Sequence, residues 1–184
     1  QFSFQPDVQN AEKLDRKHHI AVFGMGGSQL AADVLHAWKP SLSILNHRDY
    51  GLPALSEHEA NNTLFIASSY SGNTEETLSG YEEARERKLA LAVSTVGGKL
   101  LGLAKADRVP YVQLPDTHIQ PRMALGYGIL SLLTLIGETE GIAEAAKAAM
   151  LNAHDFEEQG KALAERLHGS VPVIYASNRN QSIA

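Results

Sequence analysis

The stretch Thr63-Leu64-Phe65-Ile66-Ala67-Ser68-Ser69-Tyr70-Ser71-Gly72-Asn73-Thr74 decides the fold of this chain. Its first five residues form an apolar run that predicts a buried strand, and the residues after Thr74 predict an amphipathic helix. Five of the seven positions from 68 to 74 carry a side-chain hydroxyl. A strand that ends in hydroxyls and a glycine directly before a helix is typical of a phosphate-binding turn. The reason is that the first amides of a helix lack intrahelical acceptors and the helix dipole favours an anion.

Ordinary helix capping is the alternative interpretation of this stretch, because Ser, Asn and Thr are preferred N-cap residues. A cap needs only one such residue. The density of hydroxyls therefore favours a turn that binds a ligand over a turn that only caps the helix.

Apolar runs and helical patterns alternate on both sides of this stretch. They predict strands at His19–Gly24, Ser43–Asn46, Thr63–Ser68, Ala90–Ser94 and Val109–Leu114, with helices at about Ser28–Trp38, Thr74–Lys88 and Lys99–Ala106. Strands rich in Val, Ile, Leu and Ala with little alternation are buried on both faces, as in a parallel sheet covered by helices. We therefore predict an α/β fold, a flavodoxin-like three-layer α/β/α sandwich around a five-stranded parallel sheet.

Two long helices and a further strand are predicted after the fifth strand. The helix from Arg122 to Ile136 is apolar nearly all the way round but too short to span a membrane, so we expect it in a core or against a second subunit. The next helix, roughly Ile142 to Leu167, is amphipathic, and the run Val171–Ser177 predicts a strand. These patterns predict one domain at 1–168 and the start of a second, truncated α/β domain at 169–184.

The composition excludes some classes of protein. The 184 residues can bury one sizeable core. A net charge of −5 and a pI near 5.9 give no reason to expect nucleic acid or an anionic membrane as a partner. The chain has no cysteine, which excludes disulfides and thiolate zinc, and we expect no metal or other cofactor. The first residues are no secretory signal, and a cytoplasmic protein is expected.

A second glycine-rich turn, Gly24-Met25-Gly26-Gly27-Ser28, follows the first strand and opens a helix. A dinucleotide-binding turn would have a third glycine at position 29, where this chain has Gln29, and an acidic residue at the end of the second strand. Nicotinamide binding is therefore disfavoured. The glycines would let backbone amides approach a ligand, but a tight turn that needs small residues explains this segment equally well.

Four motifs together resemble the N-terminal sugar isomerase (SIS) domain of the bifunctional phosphoglucose/phosphomannose isomerases. They are Gly24–Ser28, Ser69–Thr77, Gly97–Leu100 and Pro121–Leu125. The serine-rich motif alone would indicate only a sugar-phosphate SIS domain, which isomerases, aminotransferases and transcription regulators share; the Pro-Arg pair narrows the match. The resemblance runs from about Lys17 to the end of the chain.

The resemblance implies roles for eight residues. Substrate would be bound by Gly27, Ser28, Ser69, Ser71, Gly72, Asn73 and Thr74, and the catalytic residue would be Arg122. The three hydroxyls at 69, 71 and 74 would hold the sugar phosphate, while Gly27 and Ser28 would line the sugar. Arg122 would stabilise negative charge on an enediolate intermediate, which suits a forked and permanently charged guanidinium. A cation at a helix N-terminus also calls for an anionic partner, because the helix dipole disfavours it there.

The resemblance also implies an activity: interconversion of glucose 6-phosphate or mannose 6-phosphate with fructose 6-phosphate. Such a reaction needs a base, usually Glu or His. The resemblance places the glutamate and the histidine in the second SIS domain, with the histidine supplied by a homodimeric partner, so this chain alone is expected to show no turnover. His47 and His118 are the only histidines placed near a site, and each is expected to be solvated. A non-catalytic SIS domain that senses a sugar phosphate in a regulator remains the alternative.

Overall fold

A computed structural model describes residues 1–177 and residue 180 of this chain. The strands are β1 (Val8–Gln9), β2 (His19–Phe23), β3 (Ser43–His47), β4 (Thr63–Ser69), β5 (Leu91–Thr95) and β6 (Tyr111–Gln113). The helices are α1 (Leu30–Trp38), α2 (Glu57–Asn61), α3 (Glu75–Glu86), α4 (Gly98–Asp107), α5 (Leu125–Ile136), α6 (Thr139–Ala146) and α7 (Glu157–Leu167).

The strands form a single mixed sheet in the order β1-β6-β5-β4-β2-β3. The five predicted strands are confirmed and are all parallel, with β2 paired to both β3 and β4. The sixth strand, β1, is added antiparallel to β6 at the edge of the sheet. The sandwich predicted from the sequence is therefore present, with one more strand than expected.

The two faces of the sheet bury alternate residues of each central strand. In β4, Leu64 and Ile66 pack into one apolar cluster while Phe65 and Ala67 pack into the other, because successive side chains of a strand point to opposite faces. The first cluster is shared with α1 and α5, and the second with α3 and α4. Helices thus cover both faces of the sheet, which explains why the strands are continuously apolar.

The apolar helix α5 is buried within this chain. Leu130, Leu132, Leu133 and Leu135 are each at most 1% exposed. The hydroxyl of Ser131 on α5 donates to Ser94 at 2.8 Å, which satisfies the polar groups at that contact. The hydrophobicity of α5 is therefore explained by the core and gives no argument for a second subunit. The helix begins at Leu125 and not at Arg122, which lies in a preceding 3₁₀ turn (Pro121–Met123).

Two predictions for the C-terminal part are wrong. The single helix expected from Ile142 to Leu167 is divided, because α6 ends at Ala146 and α7 begins only at Glu157. The Asn152 side chain accepts from the backbone of His154, a cap that starts a new helical turn between them. Residues 171–177 belong to no strand and are exposed. The remainder of the predicted second domain, at 178, 179 and 181–184, lies outside the described residues.

Over the part of the chain that the structure describes, no helix combines the length and hydrophobicity needed to cross a membrane.

Candidate functional site

The predicted site residues lie in the turns that follow the carboxyl ends of β2 and β4 and in the segment after β6, which contains Arg122. Strands β2 and β4 are neighbours, but the helices that follow them cover opposite faces of the sheet, α1 on one face and α3 on the other. A crevice opens at such a topological switch point, and in open α/β sheets ligands bind there. The topology therefore assigns the candidate site to the gap between the turn after β2 and the turn after β4.

The turn after β4, residues 69–74, is here named the serine turn. Ser69 is 1% exposed, and its hydroxyl lies 2.9 Å from the hydroxyl of Thr74 and accepts the Gly72 N–H at 3.1 Å. The exposed Ser71 accepts the Asn73 N–H through its Oγ at 3.3 Å. These internal bonds fix the shape of the turn before any ligand binds.

The helix that follows the serine turn begins without a side-chain cap. Thr74 is the N-cap residue of α3, yet its side chain makes no capping hydrogen bond. The N–H groups in the first turn of an uncapped helix lack intrahelical partners and are available to an anion. The helix start therefore offers donors to a ligand beside the hydroxyls of the turn.

The turn after β5 packs directly against the serine turn. A Cβ placed on Gly72 would lie 1.8 Å from the carbonyl oxygen of Gly97, and φ of Gly72 is +69°. The N–H of Leu100 donates to Gly72 O at 2.9 Å, and the N–H of Lys99 donates to Asn73 Oδ1 at 3.1 Å. Gly72 is therefore required both by its backbone angle and by the approach of the neighbouring turn.

The side chains of the turn after β2 form hydrogen bonds with neighbouring strands and turns of the chain. The Ser28 Oγ accepts the N–H of Tyr70 at 2.9 Å, and Ser68 Oγ donates to Ser28 O at 3.0 Å. Gln29, which stands where a dinucleotide turn would have glycine, is fully buried and donates to Val22 O at 3.1 Å. These contacts hold the turns after β2 and β4 together.

Arg122 is brought to the site by a backbone contact with Gly27. A Cβ on Gly27 would lie 2.4 Å from the backbone nitrogen of Arg122. The Arg122 side chain is exposed and makes no ion pair or hydrogen bond with the described residues. An ion pair between Arg122 and a surface acid of this chain would explain the residue without a ligand, but that part of the structure contains no such pair.

The acidic residues and histidines near the site are solvated or bonded to neighbouring residues of the chain. Glu75 in the first turn of α3 accepts the Tyr50 hydroxyl at 3.1 Å, and that hydrogen bond raises the pKa of Tyr50. His118 is 89% exposed beside Asp116. The ring of His47 lies 3.4 Å from Tyr50 O. Among residues 1–177 and 180, no group of His, Asp and Glu is arranged to hold a metal ion.

The structure brings all eight predicted residues to the side of the sheet where the parallel strands end. They lie in the turn after β2, the serine turn and the 3₁₀ turn Pro121–Met123. Sequence reasoning gave no role to residues 95–99, although they pack against the serine turn. Two signals were present: β5 ends in Ser94-Thr95 much as β4 ends in Ser68-Ser69, and two glycines follow after one intervening residue, Val96. What these residues bind stays a prediction.

No protein-family model matches the chain. Curated relatives include bifunctional phosphoglucose/phosphomannose isomerases of Caldicellulosiruptor bescii, 34% identical over 90% of this chain, and of Aquifex aeolicus, 34% identical over 95%. The D-glucosamine-6-phosphate 4-epimerase of Sulfolobus acidocaldarius is 32% identical over 94% of the chain. The chain spans about half the length of these relatives, at 52%, 55% and 54%.

Solved structures share the fold at low sequence identity. A Salmonella typhimurium protein designated a phosphosugar isomerase gives a TM-score of 0.60 at 18% identity, over 86% of this chain and 52% of its own. The C-terminal domain of glucosamine-fructose-6-phosphate aminotransferase from Francisella tularensis gives 0.57 at 13% identity, over 86% of this chain and 50% of its own. The fold is that of the SIS class of phosphosugar proteins. The resemblance to the bifunctional phosphoglucose/phosphomannose isomerases that was drawn from the four motifs is confirmed by these relatives, of which the chain spans about half the length.

Proposed function

We propose that this chain is the sugar-phosphate-binding part of an aldose–ketose isomerase that interconverts glucose 6-phosphate or mannose 6-phosphate with fructose 6-phosphate. The observation that carries the proposal is the serine turn, which is ordered by its own hydrogen bonds and stands before an uncapped helix. A phosphate monoester offers several strong acceptor oxygens, which match this set of neutral donors.

In the proposed complex, Ser71 and Thr74 donate hydroxyl protons to the phosphate, together with amides at the start of α3. The buried Ser69 holds Gly72 and Thr74 in position. Gly27 and Ser28 line the sugar. Because the donors are already oriented, less conformational entropy is lost on binding.

Arg122 is proposed to stabilise the enediolate formed when a proton moves between C1 and C2. Its guanidinium is permanently charged, exposed and without a partner in the described part of the chain. Two adjacent oxygens that share negative charge are suited to forked N–H donors. The base that moves the proton is proposed to come from another part of the whole protein, because the chain spans about half the length of its relatives. The second SIS domain and a homodimer in the cytoplasm are retained as parts of this proposal.

The names of the relatives support the class of ligand more strongly than the reaction. Isomerases and a D-glucosamine-6-phosphate 4-epimerase match this chain at similar identity, and both names specify phosphorylated sugars. Binding of a hexose phosphate is the property that such a shared part would supply. A regulatory sensor is disfavoured, because these relatives all carry the names of enzymes.

The test is calorimetric titration of this chain with 6-phosphogluconate, compared with gluconate, which has no phosphate. Arg122→Met is expected to weaken 6-phosphogluconate binding at least about tenfold, the usual effect of losing a hydrogen bond to a charged group. Ser69→Ala is expected to weaken it to a similar degree, because Gly72 N and the Thr74 hydroxyl lose the partner that orients them. Ser79→Ala is the matched control, because Ser79 lies on α3 and accepts from Gly51 N, outside the serine turn.

Absence of binding by the unaltered chain, or unchanged binding in the Ser69→Ala variant, would overturn the proposal. No turnover of fructose 6-phosphate is expected from the chain alone. Turnover would show that the base lies inside it.

A further inference from the structure

The Gly97-Gly98-Lys99 motif has no role in the function proposed so far. We propose that Lys99 is a further phosphate-binding residue, which supplies the positive charge that the serine turn lacks. The inference rests on the proposed function and deepens it, because it assigns to the same site a preference for a phosphate monoester over an uncharged sugar.

Three hydrogen bonds join the backbone around Lys99 to the serine turn. Val96 N donates to Tyr70 O at 3.1 Å, Lys99 N donates to Asn73 Oδ1 at 3.1 Å, and Leu100 N donates to Gly72 O at 2.9 Å. The two turns therefore form one hydrogen-bonded unit. The backbone nitrogen of Lys99 is itself bonded to Asn73 of the serine turn, so the Lys99 side chain leaves the backbone beside that turn.

Two glycines make this contact close. A Cβ on Gly72 would lie 1.8 Å from Gly97 O, and a Cβ on Gly98 would lie 2.4 Å from Ser71 O. Both glycines have positive φ, +69° and +68°. Because the backbones touch, the flexible four-carbon stem of Lys99 begins at the wall of the turn, from where its ammonium group can reach a phosphate held there.

The charges around the turn call for a cation. The donors at positions 69–74 are all neutral, and a phosphate monoester carries about 1.5 to 2 negative charges at pH 7. The first turn of α3 also carries Glu75 and Glu76, which repel a phosphate. A nearby ammonium offsets that repulsion without taking the place of any hydroxyl donor.

Among the described residues, Lys99 has no anionic partner. Its side chain is exposed and makes no ion pair within the described ranges, whereas Lys39 and Lys147 pair with Glu138 and Glu144. Lys99 also stands in the first turn of α4, where the helix dipole disfavours a cation. Lys105, in the last turn of the same helix, is in the position that the dipole favours and needs no ligand to explain it.

The test uses sorbitol 6-phosphate, whose only charge is its phosphate, and unphosphorylated sorbitol. Titrations of the unaltered chain, Lys99→Met, Lys99→Arg and the matched control Lys105→Met are run at about 50 mM and about 300 mM NaCl. Lys99→Met is expected to bind sorbitol 6-phosphate about fivefold more weakly at the lower salt, with a smaller difference at the higher salt because the charge is screened. Lys99→Arg and Lys105→Met should bind like the unaltered chain, and thermal unfolding should be the same for all four.

Equal affinity of Lys99→Met and the unaltered chain at low salt overturns the inference. If Ser69→Ala has lost affinity in the same experiment, the proposed function stands while Lys99 is excluded. If the unaltered chain does not bind sorbitol 6-phosphate, the proposed function fails and this inference fails with it.

Discussion

The turn after β2 and the turn after β4 both combine glycine and serine directly before a helix. In the turn after β2, Ser28 accepts from Tyr70 N at 2.9 Å and Gly27 lies against the backbone of Arg122. In the serine turn, Ser69 and Thr74 bond to each other and α3 begins without a side-chain cap. Similar residue types therefore hold neighbouring loops together in the first turn and leave the helix start without a side-chain cap in the second. We infer that the partners of the side chains, and not the composition, decide which of the two turns is the proposed phosphate-binding turn.

The largest effect is expected from Gly72→Ala. The new methyl group would lie 1.8 Å from Gly97 O at a residue whose φ is +69°, so the turns after β4 and β5 must separate. We expect the free energy of unfolding to fall by about 3 kcal/mol or more and phosphate binding to be lost. Urea denaturation and titration with inorganic phosphate measure the two effects.

The control for this substitution is Gly102→Ala in α4, where a methyl group meets no atom within 4 Å. Alanine should stabilise that helix by up to about 1 kcal/mol. A Gly72→Ala variant as stable as the Gly102→Ala variant would contradict the close contact between the two turns.

The next effect separates the two glycine-rich turns. Gly27→Ala would place a methyl group 2.4 Å from the backbone nitrogen of Arg122, which should reduce the free energy of unfolding by about 2 kcal/mol through overpacking. Binding of inorganic phosphate should be retained, because the serine turn is untouched. Gly26→Ala meets nothing within 4 Å and suffers only from its φ of +54°, for about 1 kcal/mol. If Gly27→Ala abolished phosphate binding, the proposed division between the turns would be wrong.

A smaller effect is expected from Ser28→Ala. The N–H of Tyr70 would lose its acceptor, which costs about 1 to 2 kcal/mol in the free energy of unfolding. Ser69→Ala should cost a similar amount, because it removes the acceptor of Gly72 N. Only the Ser69 variant should lose affinity for inorganic phosphate in a titration. Equal losses of affinity would show that both turns bind the phosphate.

The smallest effect lies outside both turns, at the contact between Tyr81 and Asp107. Burial raises the pKa of Tyr81, and so does its hydrogen bond to Asp107 at 2.9 Å. The folded state then keeps a proton that the unfolded state loses above about pH 10, so stability should fall as the pH rises beyond that value. Tyr81→Phe should remove part of this slope in urea denaturation at pH 8 and pH 11, and should leave phosphate binding unchanged. An identical slope in both proteins would exclude Tyr81 as its source.

The central strands could be predicted from the sequence because burial on both faces leaves a continuous apolar run. The edge strand β1 could not, since two residues carry no periodic pattern. The short helix α2 was overlooked although its signal was present, a capping box in which Ser56 accepts from Glu59 N. The expected strand at 171–177 failed for another reason. A strand needs a neighbouring strand, and strand propensity does not say whether the described chain supplies one.

The serine turn could likewise be predicted, because its residues are contiguous and their chemistry is local. Its contact with Gly97 could not, because that contact joins two turns that are separated by a helix and a strand. A role for Arg122 at this site was expected only from the family resemblance, and its backbone contact with Gly27 was not expected. No local pattern encodes a backbone approach between residues so distant in the chain.

The most direct test of the central claim is to map phosphate binding residue by residue with amide chemical shifts of the isotopically labelled chain. Titration with sorbitol 6-phosphate should shift the amides of residues 71–75 most strongly and those of 97–99 to a lesser degree. A cavity lies at the opposite end of the strands, where His19, Ser43 and Thr63 begin β2, β3 and β4, and the amides around it should be unaffected. Shifts confined to that opposite cavity, with none at 71–75, would contradict the account.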